Sequence, residues 1–155
     1  MDAYARRDVF DVRDAVDVIM RADRNPYDKP LASWTKQEVG RCGEDVAAAY
    51  LAQRGFEIVE RNWRCSFGEV DIIAEDDDEL VMVEVKTRVA PLGDSQIEPE
   101  EAVGYRKRRR YNKLALTYLS LQIRTDIVRF DVVAVRIRSE QDYELRHLLS
   151  AYDRG

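Results

Sequence analysis

The sequence predicts an α/β domain in which a mixed β-sheet is flanked by helices, with the element order α-β-β-β-α-β. Three observations support this order: a capped amphipathic segment around residues 35–54, three strand-like segments within residues 56–88, and a second helix followed by a strand within residues 99–138. A chain of 155 residues is long enough for one domain with a substantial core. We expect this domain to span residues 34–155, after an N-terminal extension of residues 1–33.

The N-terminal extension has apolar residues at helical spacing, with charged residues between them: Val9, Val12, Val16 and Ile19. This pattern predicts a weak amphipathic helix within residues 1–24. Pro26 and Pro30 then indicate a linker.

The first helix of the domain has a clear start and end. Thr35 and Glu38 form a capping-box signature, and Gly55 is a suitable residue for the position after the helix. Its apolar stripe is Val39, Cys42, Val46 and Tyr50. Glu44 lies at the edge of this stripe, where a glutamate is usually solvated. It gains interest only because an acid on this helix can complete a metal site.

Residues 69–88 predict a β-hairpin, because two β-branched runs flank a four-residue acidic tip at residues 76–79. If Glu75 and Leu80 close the tip, the opposed pairs are Ala74 with Val81, Ile72 with Val83, Asp71 with Glu84, and Glu69 with Lys86. Directly opposed residues share a face of the hairpin. Asp71, Glu84 and Lys86 are therefore expected on one face.

Two carboxylates this close repel each other unless a cation or proton lies between them. Oxygen ligands of this kind suit Mg²⁺ or Mn²⁺, and Lys86 on the same face would orient or help to deprotonate a water molecule. The chemistry indicated is metal-assisted hydrolysis, most plausibly of a phosphodiester. The alternative is a solvated hairpin face on which Lys86 pairs with Glu84 or Glu69, and spacing alone favours that alternative.

The second helix opens with Pro99 and two glutamates, and its buried side is predicted to be Val103, Leu114, Tyr118 and Leu121. A basic run lies on this helix: Arg106, Lys107, Arg108, Arg109, Arg110 and Lys113. Two interpretations are equally supported, a solvated helix surface and a surface that contacts phosphates.

Residues 127–138 alternate as a strand, and residues 143–152 suggest a short strand with an irregular end. Asp131 is a charged residue within the apolar run of the first of these strands, and an arginine is its expected partner. Trp63, in the first strand of the meander, is expected to pack in the core rather than to stack on a base.

Composition narrows the class of protein. The net charge of −5 argues against indiscriminate nucleic-acid binding, and no apolar stretch is long enough for a membrane span. Cys42 and Cys65 form neither a disulfide framework nor a zinc pattern, so we expect reduced thiols in a cytoplasmic protein. His147 is the only histidine, which argues strongly against a histidine triad and a His-rich metal site.

Five motifs together resemble the YraN-like family, bacterial proteins of the restriction-endonuclease-like, or PD-(D/E)XK, superfamily. They occupy residues 40–45, 61–64, 68–74, 83–88 and 129–135, and the resemblance covers roughly residues 38–152. It implies a restriction-endonuclease-like core.

The resemblance also implies a site. Asp71 and Glu84 match the superfamily acids that bind Mg²⁺, with the carbonyl of Val85 as a further ligand. Lys86 matches the lysine that positions the attacking water or stabilises developing charge. Glu44 matches a first-helix acid that contributes to the metal site in related nucleases. Val70 replaces the proline that usually precedes the first acid.

These inferences predict a metal-dependent nuclease-like protein that hydrolyses DNA, with branched or single-stranded DNA in repair or recombination as the expected substrate and RNA less expected. Arg88 is a candidate phosphate contact or a surface residue at a strand end. The alternative is a non-catalytic nucleic-acid- or protein-binding module on the same fold. Strand edges and the N-terminal helix both permit a homodimer without requiring one.

Overall fold

The computed structural model of the chain describes residues 4–12, 15–89, 105–122 and 127–151. The strands are β1 (Tyr4–Val12), β2 (Ala15–Ala22), β3 (Glu57–Cys65), β4 (Gly68–Asp76), β5 (Glu79–Val89), β6 (Ile127–Ile137) and β7 (Asp142–Leu148). The helices are α1 (Lys36–Gln53) and α2 (Tyr105–Gln122), and a 3-10 turn covers Leu31–Ser33. From α1 to β6 the elements follow the predicted order, and β7 is the short strand expected near the end.

The seven strands within these ranges form one mixed sheet in the order β1-β2-β7-β6-β5-β4-β3. Neighbouring strands are antiparallel except β5 and β6, which pair in parallel along their whole length. Parallel neighbours need a crossover, and α2 lies between these two strands in the chain. The predicted α/β class with a mixed sheet flanked by helices is confirmed.

The helices cover opposite faces of the sheet. Cys42, Val46 and Tyr50 of α1 are buried in one core cluster, as the apolar stripe predicts. Leu114 and Tyr118 of α2 are buried in the cluster on the other face. None of the helices in the described ranges is long and apolar enough to cross a membrane.

Two details of α2 differ from the sequence expectations or lie beyond the structure. Leu121, predicted on the buried side, is 66% exposed, and its neighbours Ser120 and Gln122 are exposed as well, whereas Leu119 packs against the core. The predicted helix opening at residues 99–101 and most of the preceding loop lie outside the described residues.

The predicted N-terminal helix is wrong, because β1 and β2 form an antiparallel pair and β2 joins the main sheet through β7. The buried residues of β2 recur at every second position: Val16, Val18, Met20 and Ala22. A period of two is the strand period. The helical spacing of valines seen in the sequence therefore combined residues from two separate strands.

Helix α1 crosses β5 at very close range. A Cβ atom added at Gly43 would collide with the side chain of Thr87. A glycine at this position lets the two backbones approach. The close crossing also brings Glu44, the next residue of α1, next to β5.

A buried polar network joins α1, β6 and β7. Asp131 accepts hydrogen bonds from Arg129 Nε at 2.9 Å and pairs with His147 Nε2 at 2.7 Å, and His147 Nδ1 lies 2.8 Å from the Tyr50 hydroxyl. The expected arginine partner of Asp131 is confirmed. Arg129 also contacts Asp76 at the end of β4, so the same network fixes the base of the hairpin turn.

Candidate active site

The β4–β5 hairpin has the predicted register over its paired part, with Ile72 opposite Val83 and Ala74 opposite Val81. The tip is tighter than the predicted four-residue loop, because Asp76 pairs with Glu79. Asp77 then adopts a positive φ of 54° in a two-residue turn, a conformation that aspartate tolerates.

The hydrogen-bonded ladder stops at Ile72 and Val83, so the expected opposition of Asp71 with Glu84 and of Glu69 with Lys86 is not formed. Instead, Asp71 Oδ2 accepts a hydrogen bond from the backbone N–H of Val85 at 2.8 Å. The carboxylate takes the place of a backbone acceptor, and β4 leaves β5 at this point. This bond orients the Asp71 side chain.

The other charged residues that were expected to oppose one another across the hairpin form different ion pairs. Glu69 pairs with Arg64 of β3, with 2.9 Å between Oε2 and Nε. Lys86 Nζ lies 3.6 Å from Glu84 Oε1. The Glu84 side chain is 11% exposed and the Lys86 side chain 41%, so the lysine is the solvent-facing member of the pair.

Asp71 and Glu84 line one open groove of about 460 Å³, and Arg110 of α2 reaches the same groove. The other lining residues are Arg64, Cys65, Gly68, Glu69 and Tyr111. The structure therefore brings together the two predicted acids and one member of the predicted basic run. We refer to this space as the Asp71 groove.

The surroundings of the Asp71 side chain disfavour its negative charge. Burial raises the pKa of Asp71, and repulsion from Glu84 and Glu69 raises it further, while the Val85 N–H and Lys86 act in the opposite direction. A cation beside Asp71 and Glu84 would offset this repulsion.

Glu44 lies in a second groove of about 490 Å³, whose other lining residues are Trp34, Lys36, Val39, Gly40, Val85, Thr87 and Val89. Its Oε1 atom is buried and has no hydrogen-bond partner among the described residues. Burial raises the pKa of Glu44, and the charge of Asp71 is the next contribution. Glu44 therefore interacts electrostatically with the Asp71 groove while it lines a separate space.

The donor set fits a hard cation in one respect and falls short in another. Asp71 and Glu84 supply carboxylate oxygens in one groove, and Mg²⁺ is commonly held by one or two carboxylates together with substrate phosphates. Within the described ranges, no three histidine, cysteine, aspartate or glutamate side chains are grouped closely enough to hold a metal ion. The residues present therefore fit a site with two carboxylate ligands, Asp71 and Glu84, and Glu44 lies outside this pair.

The predicted phosphate-binding residues are distributed unevenly around the site. Arg109, Arg110 and Lys113 are exposed on α2, and Arg110 lines the Asp71 groove. Arg88 is exposed near the end of β5 and lines neither groove. The side chains of Arg106, Lys107 and Arg108 lie outside the described part of the chain.

Sequence reasoning missed two residues at this site. Arg64 lines the Asp71 groove, and Phe67, beside the groove-lining Gly68, is 45% exposed. The sequence position of Phe67 could have indicated its place near the site, since Phe67 occupies the turn that leads directly into the strand of Asp71. Trp63, as predicted, packs in the core, with its ring centroid 5.2 Å from that of Tyr118.

The sheet is mixed and has a helix on each face. Asp71 lies where β4 separates from β5, and β5 carries the Glu-x-Lys sequence. These features together define a protein of the restriction-endonuclease-like superfamily. Residues 43–135 match the family described as "Uncharacterised protein family UPF0102". The chain belongs to this YraN-like family, and the matched range contains all four predicted catalytic residues.

Relatives of the chain are UPF0102 proteins. One from Thermodesulfovibrio yellowstonii is 41% identical over 115 residues, which is 74% of this chain and 96% of the relative. One from Rhodococcus opacus is 45% identical over 115 residues, which is 74% of this chain and 95% of the relative. One from Syntrophus aciditrophicus is 48% identical over 103 residues, covering 65% and 78% respectively.

Proposed function

We propose that the protein is a cytoplasmic, metal-dependent nuclease that hydrolyses DNA phosphodiester bonds, with branched or single-stranded DNA in repair or recombination as its substrate. One observation carries the proposal. The Asp71 carboxylate is oriented by the Val85 N–H beside Glu84, in a groove that Arg110 also lines. Carboxylates that can hold a metal ion, with a cationic side chain in the same groove, are a set of groups with which metal-dependent enzymes hydrolyse phosphodiesters.

Asp71 and Glu84 are the proposed ligands of Mg²⁺ or Mn²⁺, with the Val85 carbonyl as a further ligand. When bound, such an ion polarises a phosphoryl oxygen and favours deprotonation of a nearby water. The Val85 N–H holds Asp71 in one orientation before any ligand binds. Glu44 is the proposed additional acid, and its buried oxygen without a described partner supports that role.

Lys86 is the proposed catalytic cation. Its ammonium group lies 3.6 Å from Glu84, so the lysine is directed to the acidic pair while 41% of its side chain remains exposed to an incoming phosphate. In this position it would donate a hydrogen bond from Nζ to the attacking water or to a phosphoryl oxygen. Charge that develops on the phosphate is then stabilised by a preorganised donor.

The basic run supplies the proposed contacts to the DNA backbone. Arg110 lines the Asp71 groove, and Arg109 and Lys113 are exposed on the same helix. The remaining proposed contacts are Arg106, Lys107, Arg108 and Arg88. Because the chain has a net charge of −5, phosphate binding would depend on this local concentration of positive charge.

The test is cleavage of labelled single-stranded, duplex and four-way-junction DNA with Mg²⁺ or Mn²⁺, and binding in Ca²⁺. Lys86→Ala and Asp71→Asn are compared with wild type. Lys29→Ala is a matched control, because Lys29 pairs with Glu38 at 2.8 Å and has 38% side-chain exposure, close to that of Lys86. Its partner Glu38 lines neither groove, whereas Glu84, the partner of Lys86, lines the Asp71 groove.

Loss of cleavage in Lys86→Ala and Asp71→Asn, with binding retained and with Lys29→Ala unchanged, supports the nuclease function. If Asp71→Asn cleaves as wild type does, the proposed metal role is wrong.

The second candidate is a non-catalytic nucleic-acid- or protein-binding module. The ion pair between Lys86 and Glu84 favours it, because such a pair is also an ordinary surface feature. Binding without cleavage, equal in wild type and Lys86→Ala, would support this candidate. A salt titration adds to the test, since binding through the basic run must weaken steeply as salt rises.

A further inference from the structure

We propose that Phe67 is a base-stacking platform that selects single-stranded or frayed nucleic acid at the mouth of the Asp71 groove. The proposal rests on the proposed function in that it takes nucleic acid as the ligand. The proposal adds a reason why an unpaired strand is preferred. It also assigns a role to the turn between β3 and β4, which is separate from the basic run of α2.

Phe67 is placed at the edge of the groove by the turn between β3 and β4. Cys65 ends β3 and Gly68 begins β4, and both line the Asp71 groove. The backbone N–H of Phe67 donates to Cys65 Sγ at 3.4 Å, which closes the turn. The ring is 45% exposed, and it is the only aromatic among the large exposed apolar side chains of the described residues.

Two cations of α2 lie beside this turn. Lys113 Nζ is 5.4 Å from the centroid of the Phe67 ring, and Arg110 packs against Gly68. Residues three apart on a helix are neighbours on one face, so Arg110 and Lys113 form a short basic row that runs from the groove to the ring. An exposed aromatic ring beside a basic row is the arrangement with which proteins bind single strands.

The turn depends on glycine at position 68. Gly68 has a φ of +137°, a backbone conformation that residues with a side chain rarely adopt. A Cβ atom at this position would lie 3.5 Å from Arg110 Cδ, so the Arg110 side chain lies close to the turn. Gly68 therefore allows the backbone path that places Phe67 at the edge of the groove, next to Arg110.

A packing role for Phe67 is the alternative, in which the ring only covers the aliphatic part of Lys113. An exposed cation–π contact of this kind is weak. The Lys113 ammonium can therefore turn to a phosphate while a base stacks on the ring. Bases within a duplex already stack on one another, so only an unpaired or frayed base can use the platform.

The test measures affinity in Ca²⁺ for a short oligothymidylate and for a duplex of matched length. Phe67→Ala should weaken oligothymidylate binding by roughly tenfold, the usual loss for one stacked base, and leave duplex binding nearly unchanged. Phe67→Trp should bind at least as tightly as wild type, whereas Phe67→Leu should resemble Phe67→Ala. Val59→Ala is the control, because Val59 is 41% exposed near the other end of β3.

The aromatic series separates stacking from packing. The platform is overturned if the Ala, Leu and Trp variants bind oligothymidylate with equal affinity. It is also overturned if the Leu and Ala variants lose affinity for the duplex as strongly as for oligothymidylate. The result is independent of cleavage. If wild type never cleaves but Phe67→Ala loses single-strand affinity, the nuclease function fails and the platform stands. If wild type cleaves and Phe67 variants bind alike, the reverse holds.

Discussion

Replacing Asp71 by asparagine should stabilise the fold while it removes the proposed metal binding. The wild-type carboxylate is partly buried and is repelled by Glu84 and Glu69, and these effects raise its pKa. Asparagine has nearly the same shape and keeps an oxygen that can accept the Val85 N–H, a bond of 2.8 Å in the wild type. The substitution removes the charge and keeps the hydrogen bond.

The gain should be about 1 kcal/mol at neutral pH, within the range found when a strained functional group is replaced. An acid with a raised native pKa binds its proton more tightly in the folded state. Stability of the wild type therefore falls as pH rises from the unfolded pKa of about 3.9 through the higher native pKa. Asparagine does not titrate, so the advantage of the variant disappears in acid and is complete at neutral pH.

Urea unfolding without divalent ions, followed by the same titration with Mg²⁺, measures both effects. A ligand that binds only the folded state adds about 2.7 kcal/mol when its concentration is 100 times Kd. We expect Mg²⁺ to stabilise the wild type and leave Asp71→Asn unchanged. Asp78→Asn serves as the control, because Asp78 is an exposed aspartate at the hairpin tip.

Two results would refute this reasoning. If repulsion outweighs any benefit of the charge, Asp71→Asn is at least as stable as the wild type at neutral pH. A loss of stability in Asp71→Asn therefore contradicts the electrostatic argument. Equal stabilisation of both proteins by Mg²⁺ would place the ion elsewhere on the chain.

Three other predictions concern the fold that supports the site. Asp131→Asn should lower the free energy of unfolding by about 3 kcal/mol, because it breaks a buried ion pair, and the loss should shrink in acid. Burial opposes the charge of Asp131, but hydrogen bonds from His147 and Arg129 lower its pKa, so its stabilisation fades as pH falls below about 3.9. Gly43→Ala should cost about 1–3 kcal/mol in the same urea assay, and Thr87→Ala in the same chain should recover part of it. Thr35→Ala should cost about 1 kcal/mol through loss of its bond to the Glu38 N–H, and an unchanged thermal midpoint would contradict that.

The local parts of the fold could be predicted from sequence because their signals are local. The Thr35 cap is present with both reciprocal hydrogen bonds, and the hairpin register follows from alternation and an acidic tip. The basic run was visible as charge, and Arg110 does line the groove that contains Asp71 and Glu84.

The departure of β4 from β5 could not be predicted, because it depends on one side chain that replaces a backbone acceptor. Nothing in the alternating pattern indicates that Asp71 would take the Val85 N–H, or that Glu69 would turn to Arg64. The contacts of Asp131 with His147 and of His147 with Tyr50 join residues far apart in the chain, and a periodic pattern carries no information about such contacts. The N-terminal strands were missed because their valines also fit a helical period.

The pairing of β2 with β7 has a consequence for how the protein is made. Asp17 and Arg146 are 129 residues apart, yet they form one ion pair across these two strands. During synthesis at roughly 5–20 residues per second, the apolar face of β2 waits on the order of ten seconds for its partner strand to emerge. The β1–β2 hairpin therefore leaves the ribosome well before the strand that covers its edge, and β2 joins the main sheet only after β7 has emerged.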